Sequence, residues 1–65
     1  MTIGENLRRL RKERGITQTE LAHYLGITFQ QVQKYETGGN RISADRLFLI
    51  RKLFECEYDE FFKGM

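Results

Sequence analysis

Polar side chains that can contact the edges of nucleic-acid bases are concentrated between residues 30 and 34. Gln30, Gln31, Gln33 and Lys34 lie there, interrupted only by Val32. A glutamine amide can hydrogen-bond bidentately to adenine N6 and N7, and a lysine ammonium can donate to guanine O6 and N7. Taken alone, a surface glutamine is more often only a good helix former, and a surface lysine only a solvated cation. The segment therefore predicts base recognition only in combination with the elements that present it.

A short helix is predicted immediately before this segment. Thr17 and Glu20 have the spacing of a capping box, in which the hydroxyl accepts from a backbone N–H and the carboxylate caps in return. The helix then covers about Gln18 to Leu25. Gly26 follows and can adopt the left-handed backbone of a sharp turn.

The next helix carries the polar segment itself. Thr28 and Gln31 predict a second capping box, and the helix runs from Phe29 to Glu36 with apolar side chains on one face. A helix of about eight residues, a turn with glycine and a helix of about nine have the lengths of a helix-turn-helix unit. We therefore predict that unit over about residues 17–36.

The remaining elements are also predicted to be helical. Apolar residues recur at helical spacing near the N-terminus, Ser43 caps a fourth helix from Ala44 to about Phe54, and Tyr58 to Phe62 forms a last short helix. No segment alternates strictly between apolar and polar residues as a half-buried strand does. The expected architecture is all-α: a compact, five-helix single domain over residues 1–65.

Composition limits how the fold can be stabilised and in which compartment the protein is expected. The chain has 65 residues and a single cysteine, so it forms no intrachain disulfide, and no cysteine–histidine cluster suggests zinc. Its longest apolar run, Leu47 to Ile50, is too short to span a membrane. The N-terminal stretch lacks the apolar region of a secretory signal. We expect a cytoplasmic protein with no membrane partner.

Charge is distributed unevenly along the chain. The formal net charge is +2, but residues 1–52 sum to +5 and residues 53–65 to −3. A solvated helix surface explains such charges more often than a partner does. The asymmetry is nevertheless a weak indication of an anionic partner near the basic part.

Three stretches of the chain together match a known family. They are IGENLRRLRKERGITQTELAHYLGIT at 3–28, QQVQKYETGGNR at 30–41 and LFECEYDEFF at 53–62. Their pattern, R-x-x-x-G-x-T-Q-x-x-L-A-x-x-L-G-[IV]-[ST] and then Y-E-x-G, resembles the lambda-repressor-like (Cro/XRE-type) helix-turn-helix family. Within it, the chain is similar to small phage-type repressors and restriction-modification controller proteins.

The resemblance implies that the third helix lies in the major groove of double-stranded DNA. Carried over by position, the base-reading residues are Gln30, Gln31, Lys34 and Thr28. Phe29 departs from the small polar residue common at its position. Its ring either contacts a thymine methyl or staples the helix to the domain.

Further roles follow from the same resemblance. The residues expected at the DNA backbone are Gln18, Asn40, Arg41 and Arg9, with Arg8 and Lys12 as further candidates. Phosphate contacts position such a domain and base contacts specify the sequence. Arg11 and Glu36 match a pair that forms an internal salt bridge between the first and third helices.

Other reactive side chains carry no predicted site. His23 has no second ligand or catalytic partner nearby in sequence, so we expect no catalytic residue, no metal and no cofactor. No small-molecule ligand is evident either. Cys56 matches a usually apolar position, which favours a small buried hydrophobe over a redox-sensing thiol.

The fourth helix is more apolar than one core face requires. Ala44, Leu47, Ile50 and Phe54 suffice for packing. The surplus residues suggest a homodimer interface, which is common in the resembled family through C-terminal helices; they are Phe48, Leu49, Leu53 and Phe62.

The sequence thus predicts a sequence-specific DNA-binding transcriptional regulator rather than an enzyme. We expect a repressor that binds a near-palindromic operator as a homodimer. The alternative is a protein-interaction module, antitoxin-like or an assembly domain, that keeps the helix-turn-helix as a scaffold and uses the apolar C-terminal surface.

Overall fold

Four α-helices and one short 3-10 helix make up the secondary structure of the chain, and the computed structural model describes all 65 residues. The α-helices are α1 (Ile3–Glu13), α2 (Gln18–Leu25), α3 (Phe29–Thr37) and α4 (Ala44–Phe54), and the 3-10 helix is Tyr58–Phe62. The predicted all-α class is therefore confirmed. None of the helices combines the length and the apolar composition that a membrane span requires.

The predicted count of five helices is wrong for α-helices: the structure has four, and the last short helix predicted at Tyr58 to Phe62 is a 3-10 helix. It has five residues, and Glu57 before it makes no side-chain cap. A segment this short closes few backbone hydrogen bonds and gains little from the α-helical form. Asn6 holds it instead, by donating from its buried side-chain amide to the Phe61 and Lys63 carbonyls, each over 2.9 Å.

Capping decides where the two helices of the helix-turn-helix begin. Thr17 and Glu20 form the predicted reciprocal capping box of α2. Thr28 accepts from the backbone N–H of Gln31, but the reciprocal bond of the second predicted box is absent. Gly26 ends α2 with φ of 69°, a left-handed conformation that glycine adopts without a Cβ penalty.

Nine apolar residues form one core shared by every element. They come from α1 (Leu7, Leu10), α2 (Leu21, Ala22), α3 (Val32, Tyr35), α4 (Ile50, Phe54) and the 3-10 helix (Phe61). Ala44 was expected in this core, but it is exposed. As the first residue of α4, it sits at the open end of the helix, whereas the core face of α4 is carried by later turns.

Helix α1 approaches the backbone of α3 closely at Gly4. A Cβ added there would overlap the carbonyl oxygen of Tyr35 and lie 2.8 Å from that of Glu36. A side chain at this position would therefore push α1 away from the last turns of α3. Gly4 lets α1 lie against the helix that carries the polar segment.

Candidate nucleic-acid interface

The outward face of α3 is a polar stripe opposite its buried face. Val32 and Tyr35 point into the core, at 0% and 2% exposure. The residues exposed on the other side at helical spacing are Gln30, Gln33, Lys34 and Thr37. Thr37 was not predicted at all, and Gln33 was noted in the polar segment without being assigned a DNA contact. Their positions three and seven residues after Gln30 are the signal that identifies them.

Residues from two other helices extend this stripe into a shallow cleft. Arg8 of α1 and Gln18 of α2 line it together with Gln30, Gln33 and Lys34. None of the residues that line the cleft is hydrophobic. Amides and cations on such a surface can donate hydrogen bonds to base edges and to phosphates.

A buried ion pair beneath this cleft holds its three helices together. Arg11 Nε donates to Glu36 Oε2 over 2.7 Å, and its Nη2 donates to Glu36 Oε1 over 3.2 Å. Gln18 Nε2 donates to the same Oε1 over 3.0 Å. The structure thus brings Arg11 and Glu36 together, and it gives Gln18 a contact within the fold. One carboxylate joins α1, α2 and α3.

Two of the predicted base-reading residues are positioned differently from Gln30 and Lys34. Gln31 is half-buried at the border between the exposed and core faces of α3. Thr28 is exposed, but its hydroxyl caps the helix by accepting from Gln31 N over 3.2 Å. Of the four predicted base-reading residues, Gln30 and Lys34 line the polar cleft.

The loop after α3 carries Asn40 and Arg41, both exposed. The backbone N–H of Asn40 donates to the Lys34 carbonyl over 3.3 Å, which holds the loop against the end of α3. On the far side, Arg46 of α4 donates to the Tyr35 hydroxyl over 2.7 Å. The start of the loop is therefore held against α3, and the helix that follows the loop is bonded to α3 as well, while the Asn40 and Arg41 side chains stay accessible.

Arg9, which was predicted at the DNA backbone, has partners within the fold. Arg9 turns toward the C-terminal 3-10 helix, where it donates to the Glu60 carbonyl over 3.0 Å. It also pairs with the carboxylates of Glu13 and Glu60. Its neighbour Arg8, rotated by about 100° on the same helix, faces the polar cleft. Arg8 is therefore better placed than Arg9 for a phosphate contact from α1, and the contact of Arg9 with DNA stays a prediction.

The surplus apolar residues lie on α4 and at the end of the 3-10 helix. Phe48, Leu49 and Phe62 are exposed, and the ammonium of Lys52 lies 5.4 Å from the centroid of the Phe48 ring. Leu53 differs from them because it is partly buried and packs against the core. It belongs to the border of this surface rather than to its centre.

Cys56 lies partly buried against the core. Burial raises the pKa of its thiol above the ordinary value of 9.0, although nearby Arg14 lowers it in part. A thiol with a raised pKa is less reactive at neutral pH. The surroundings of Cys56 therefore favour a packing role.

Comparison with known proteins gives consistent matches at the level of sequence. The Helix-turn-helix family model matches residues 7–61. The HTH-type transcriptional regulator y4wC of Sinorhizobium fredii is 44% identical over 61 residues, covering 94% of this chain and 43% of that protein. A transcriptional regulator in the ATPase CF(0) region of Rhodospirillum rubrum is 43% identical over 63 residues, covering 97% and 58%. The chain spans about half the length of these curated relatives.

Solved structures give the same result at the level of fold. The restriction-modification controller protein C.AhdI from Aeromonas hydrophila superposes with a TM-score of 0.81 at 27% identity, covering 91% of this chain and 89% of that one. The P22 c2 repressor in complex with a synthetic operator superposes with a TM-score of 0.85 at 25% identity, covering 100% and 98%. The similarity to phage-type repressors and controller proteins is therefore confirmed.

Proposed function

Because this chain belongs to the Cro/XRE-type helix-turn-helix family of DNA-binding transcriptional regulators, we propose that it binds double-stranded DNA in a sequence-specific manner and represses transcription. The family's members are regulators and not enzymes. Residues 1–65 act as one DNA-binding domain in this proposal, with the helix-turn-helix over about 17–36. The cytoplasmic location belongs to the proposal too, since a regulator must share a compartment with its DNA.

The observation that carries the proposal is the polar stripe of α3 beside Gln18 and Arg8. α3 enters the major groove with this stripe toward the base edges. Gln30 and Lys34 contact bases directly, and Thr28 and Gln31 contribute at the border of the stripe. Gln33 is an added base contact, since it lies on the same face.

The DNA backbone is contacted from three separate elements. They are α1, the start of α2 and the loop after α3, and their residues are Arg8, Gln18, Asn40 and Arg41. Gln18 lies in the first turn of α2, where free backbone N–H groups and the helix dipole favour a phosphate. These contacts set the register in which α3 meets the bases.

The functional unit is a homodimer that binds a near-palindromic operator. The exposed Phe48 and Leu49 of α4, with Phe62, supply an apolar surface for a second copy, and Leu53 lies at its border. A two-fold dimer places its two α3 helices one DNA turn, about 34–36 Å, apart. Such a pair requires half-sites related by the same two-fold symmetry.

Selection of duplexes from a random pool by the purified protein tests this function. The expected result is enrichment of a near-palindrome with two half-sites about one DNA turn apart. No enrichment of any sequence would overturn the DNA-binding proposal.

The same exposed apolar residues favour the second candidate, a protein-interaction module. In that case the purified protein would fail to enrich any duplex, and Gln30→Ala and Arg41→Ala would leave every measurable DNA affinity unchanged. In a DNA-reading protein, Gln30→Ala relaxes base preference, whereas Arg41→Ala weakens all sequences and flattens the salt dependence.

A further inference from the structure

Phe29 is an exposed aromatic residue at the start of α3. Its exposure is 42%, and it is absent from the core and from the partly buried residues packed against the core. Phe29 therefore does not anchor α3 in the hydrophobic core, although part of its surface is covered by the fold. Its ring is available to a partner.

The ring of Phe29 differs from two other exposed rings, those of Tyr58 and Phe48, in having no cation over it. Arg51 lies 5.1 Å from the Tyr58 ring centroid and Lys52 lies 5.4 Å from that of Phe48. No cation and no second aromatic ring stacks on Phe29. An uncovered ring of this size leaves apolar surface in contact with water, which favours burial against another apolar group.

The position of Phe29 places that ring beside the polar stripe. It is the residue directly before Gln30 and lies four residues before Gln33, so helical geometry sets it along the edge of the same face. In a helix-turn-helix protein, the N-terminal residues of the recognition helix lie over the base edges. Phe29 is the first residue of α3.

The major groove limits what an apolar ring can recognise there. Base edges present hydrogen-bond donors and acceptors, and the C5-methyl group of thymine is the apolar exception. We infer that Phe29 is a specificity-determining residue that packs against the C5-methyl group of a pyrimidine in each half-site. The inference rests on the proposed DNA-binding function. Thymine and 5-methylcytosine both present this methyl group.

Uracil substitution in the selected operator tests the contact directly on the wild-type protein. Each thymine of one half-site is replaced in turn by deoxyuridine, which removes only the methyl group, and affinity is measured by fluorescence anisotropy. At one or two adjacent positions we expect an affinity loss of about four-fold, the equivalent of leaving one methyl-sized group unburied. Equal affinity for thymine and uracil at every position would overturn the inference.

Two variants assign the effect to the ring. Phe29→Ala should bind thymine and uracil duplexes equally at the sensitive position. Tyr24→Ala removes another ring of similar exposure, 46%, from α2 and should keep the wild-type preference. If Phe29→Ala retained the preference for thymine, another residue would carry the contact and the inference would fail.

A further experiment distinguishes recognition of the methyl group from recognition of thymine as a base. The sensitive thymine–adenine pair is replaced by cytosine–guanine, with cytosine either unmodified or methylated at C5. We expect methylation to recover about four-fold in affinity for the wild type and nothing for Phe29→Ala. A methyl effect of equal size in both proteins would contradict the role of Phe29. Failure of the initial selection to enrich any duplex would instead count against DNA binding as such.

Discussion

The side-chain amide of Gln18 donates a hydrogen bond to Glu36 over 3.0 Å, which joins the first residue of α2 to the last turns of α3. The same carboxylate accepts from Arg11 of α1. Glu36 is 6% exposed, so a largely buried group holds together three helices that bear proposed DNA contacts. The orientation of the polar cleft therefore depends on one ion pair.

Removing Arg11 is expected to destabilise the fold strongly. Arg11→Ala leaves the buried Glu36 carboxylate without its cation, a change that costs about 3–5 kcal/mol. Thermal unfolding followed by circular dichroism measures it. The double variant Arg11→Met/Glu36→Leu should recover much of the loss, because it leaves no buried charge unpaired. An unchanged melting temperature in Arg11→Ala would contradict the structural role of the pair.

A methyl group at Gly4 should be poorly tolerated. Gly4→Ala places its Cβ against the Tyr35 and Glu36 carbonyl oxygens, and such overpacking costs about 1–3 kcal/mol or more. Urea denaturation measures the loss. Gly39→Ala is the matched control, because its Cβ would meet the Lys34 side chain at an ordinary 3.7 Å. Equal stability of the two variants would show that α1 can shift without cost.

The capping box of α2 should make stability depend on pH. Hydrogen bonds from Thr17, chiefly from its backbone N–H, lower the pKa of Glu20 below its ordinary value of 4.5. The stabilisation is thus complete above that value and is lost as the pH falls through the lower, folded pKa. The melting-temperature difference between wild type and Glu20→Gln should shrink between about pH 6 and about pH 3. A difference independent of pH would contradict it.

Comparison of wild type with Glu20→Gln also removes the contribution of a second carboxyl. The pKa of Glu60 is lowered as well, chiefly by its hydrogen bond with Lys63. Glu60 is present in both proteins, so its titration cancels in the difference.

Two neighbouring arginines should affect DNA binding differently. Arg8 faces the polar cleft, whereas Arg9 is occupied by Glu13 and Glu60. Arg8→Ala should weaken binding to all duplexes and reduce the slope of log affinity against log salt by about one. Arg9→Ala should leave the slope unchanged while lowering thermal stability. The reverse pattern would assign the phosphate contact to Arg9.

The apolar surface of α4 should control the oligomeric state. Phe48→Ser combined with Leu49→Ser is expected to give a monomer by light scattering at micromolar concentration, with little change in folding because both side chains are exposed. It should also weaken binding to the complete operator more than to a single half-site. Tyr24→Ser, on α2, should remain a dimer. A wild-type protein that is itself monomeric would contradict the dimer.

Local sequence signals predicted the helix-turn-helix well, because its boundaries are set by neighbouring residues. Thr17, Glu20 and Gly26 fix the limits of α2 through short-range hydrogen bonds and one left-handed residue. The form of the C-terminal element was not predictable in this way. It depends on Asn6, 55 residues away from its partner Phe61.

The difference between local and long-range contacts also explains which positions at the candidate site could be predicted. Gln30 and Lys34 lie on the outward stripe because their helix has a clear apolar face. The partners of Arg9 within the fold depend on where the 3-10 helix packs, and nothing adjacent to Arg9 in the sequence specifies that. Gln33 and Thr37 were recoverable from helical spacing alone.

The two hydrogen bonds from the Asn6 amide to the C-terminal segment affect the order in which contacts form during protein synthesis. Helix α1 leaves the ribosome before the 3-10 helix, yet the carbonyl groups to which its buried Asn6 amide donates belong to Phe61 and Lys63. Until those residues emerge, the side-chain amide nitrogen of Asn6 lacks its two carbonyl acceptors and the face of α1 that packs against Phe61 stays open. Ribosomes add about 5–20 residues per second, so the nascent helix waits several seconds for its last contacts. The contact between α1 and the 3-10 helix therefore forms only after nearly the whole domain has been synthesised.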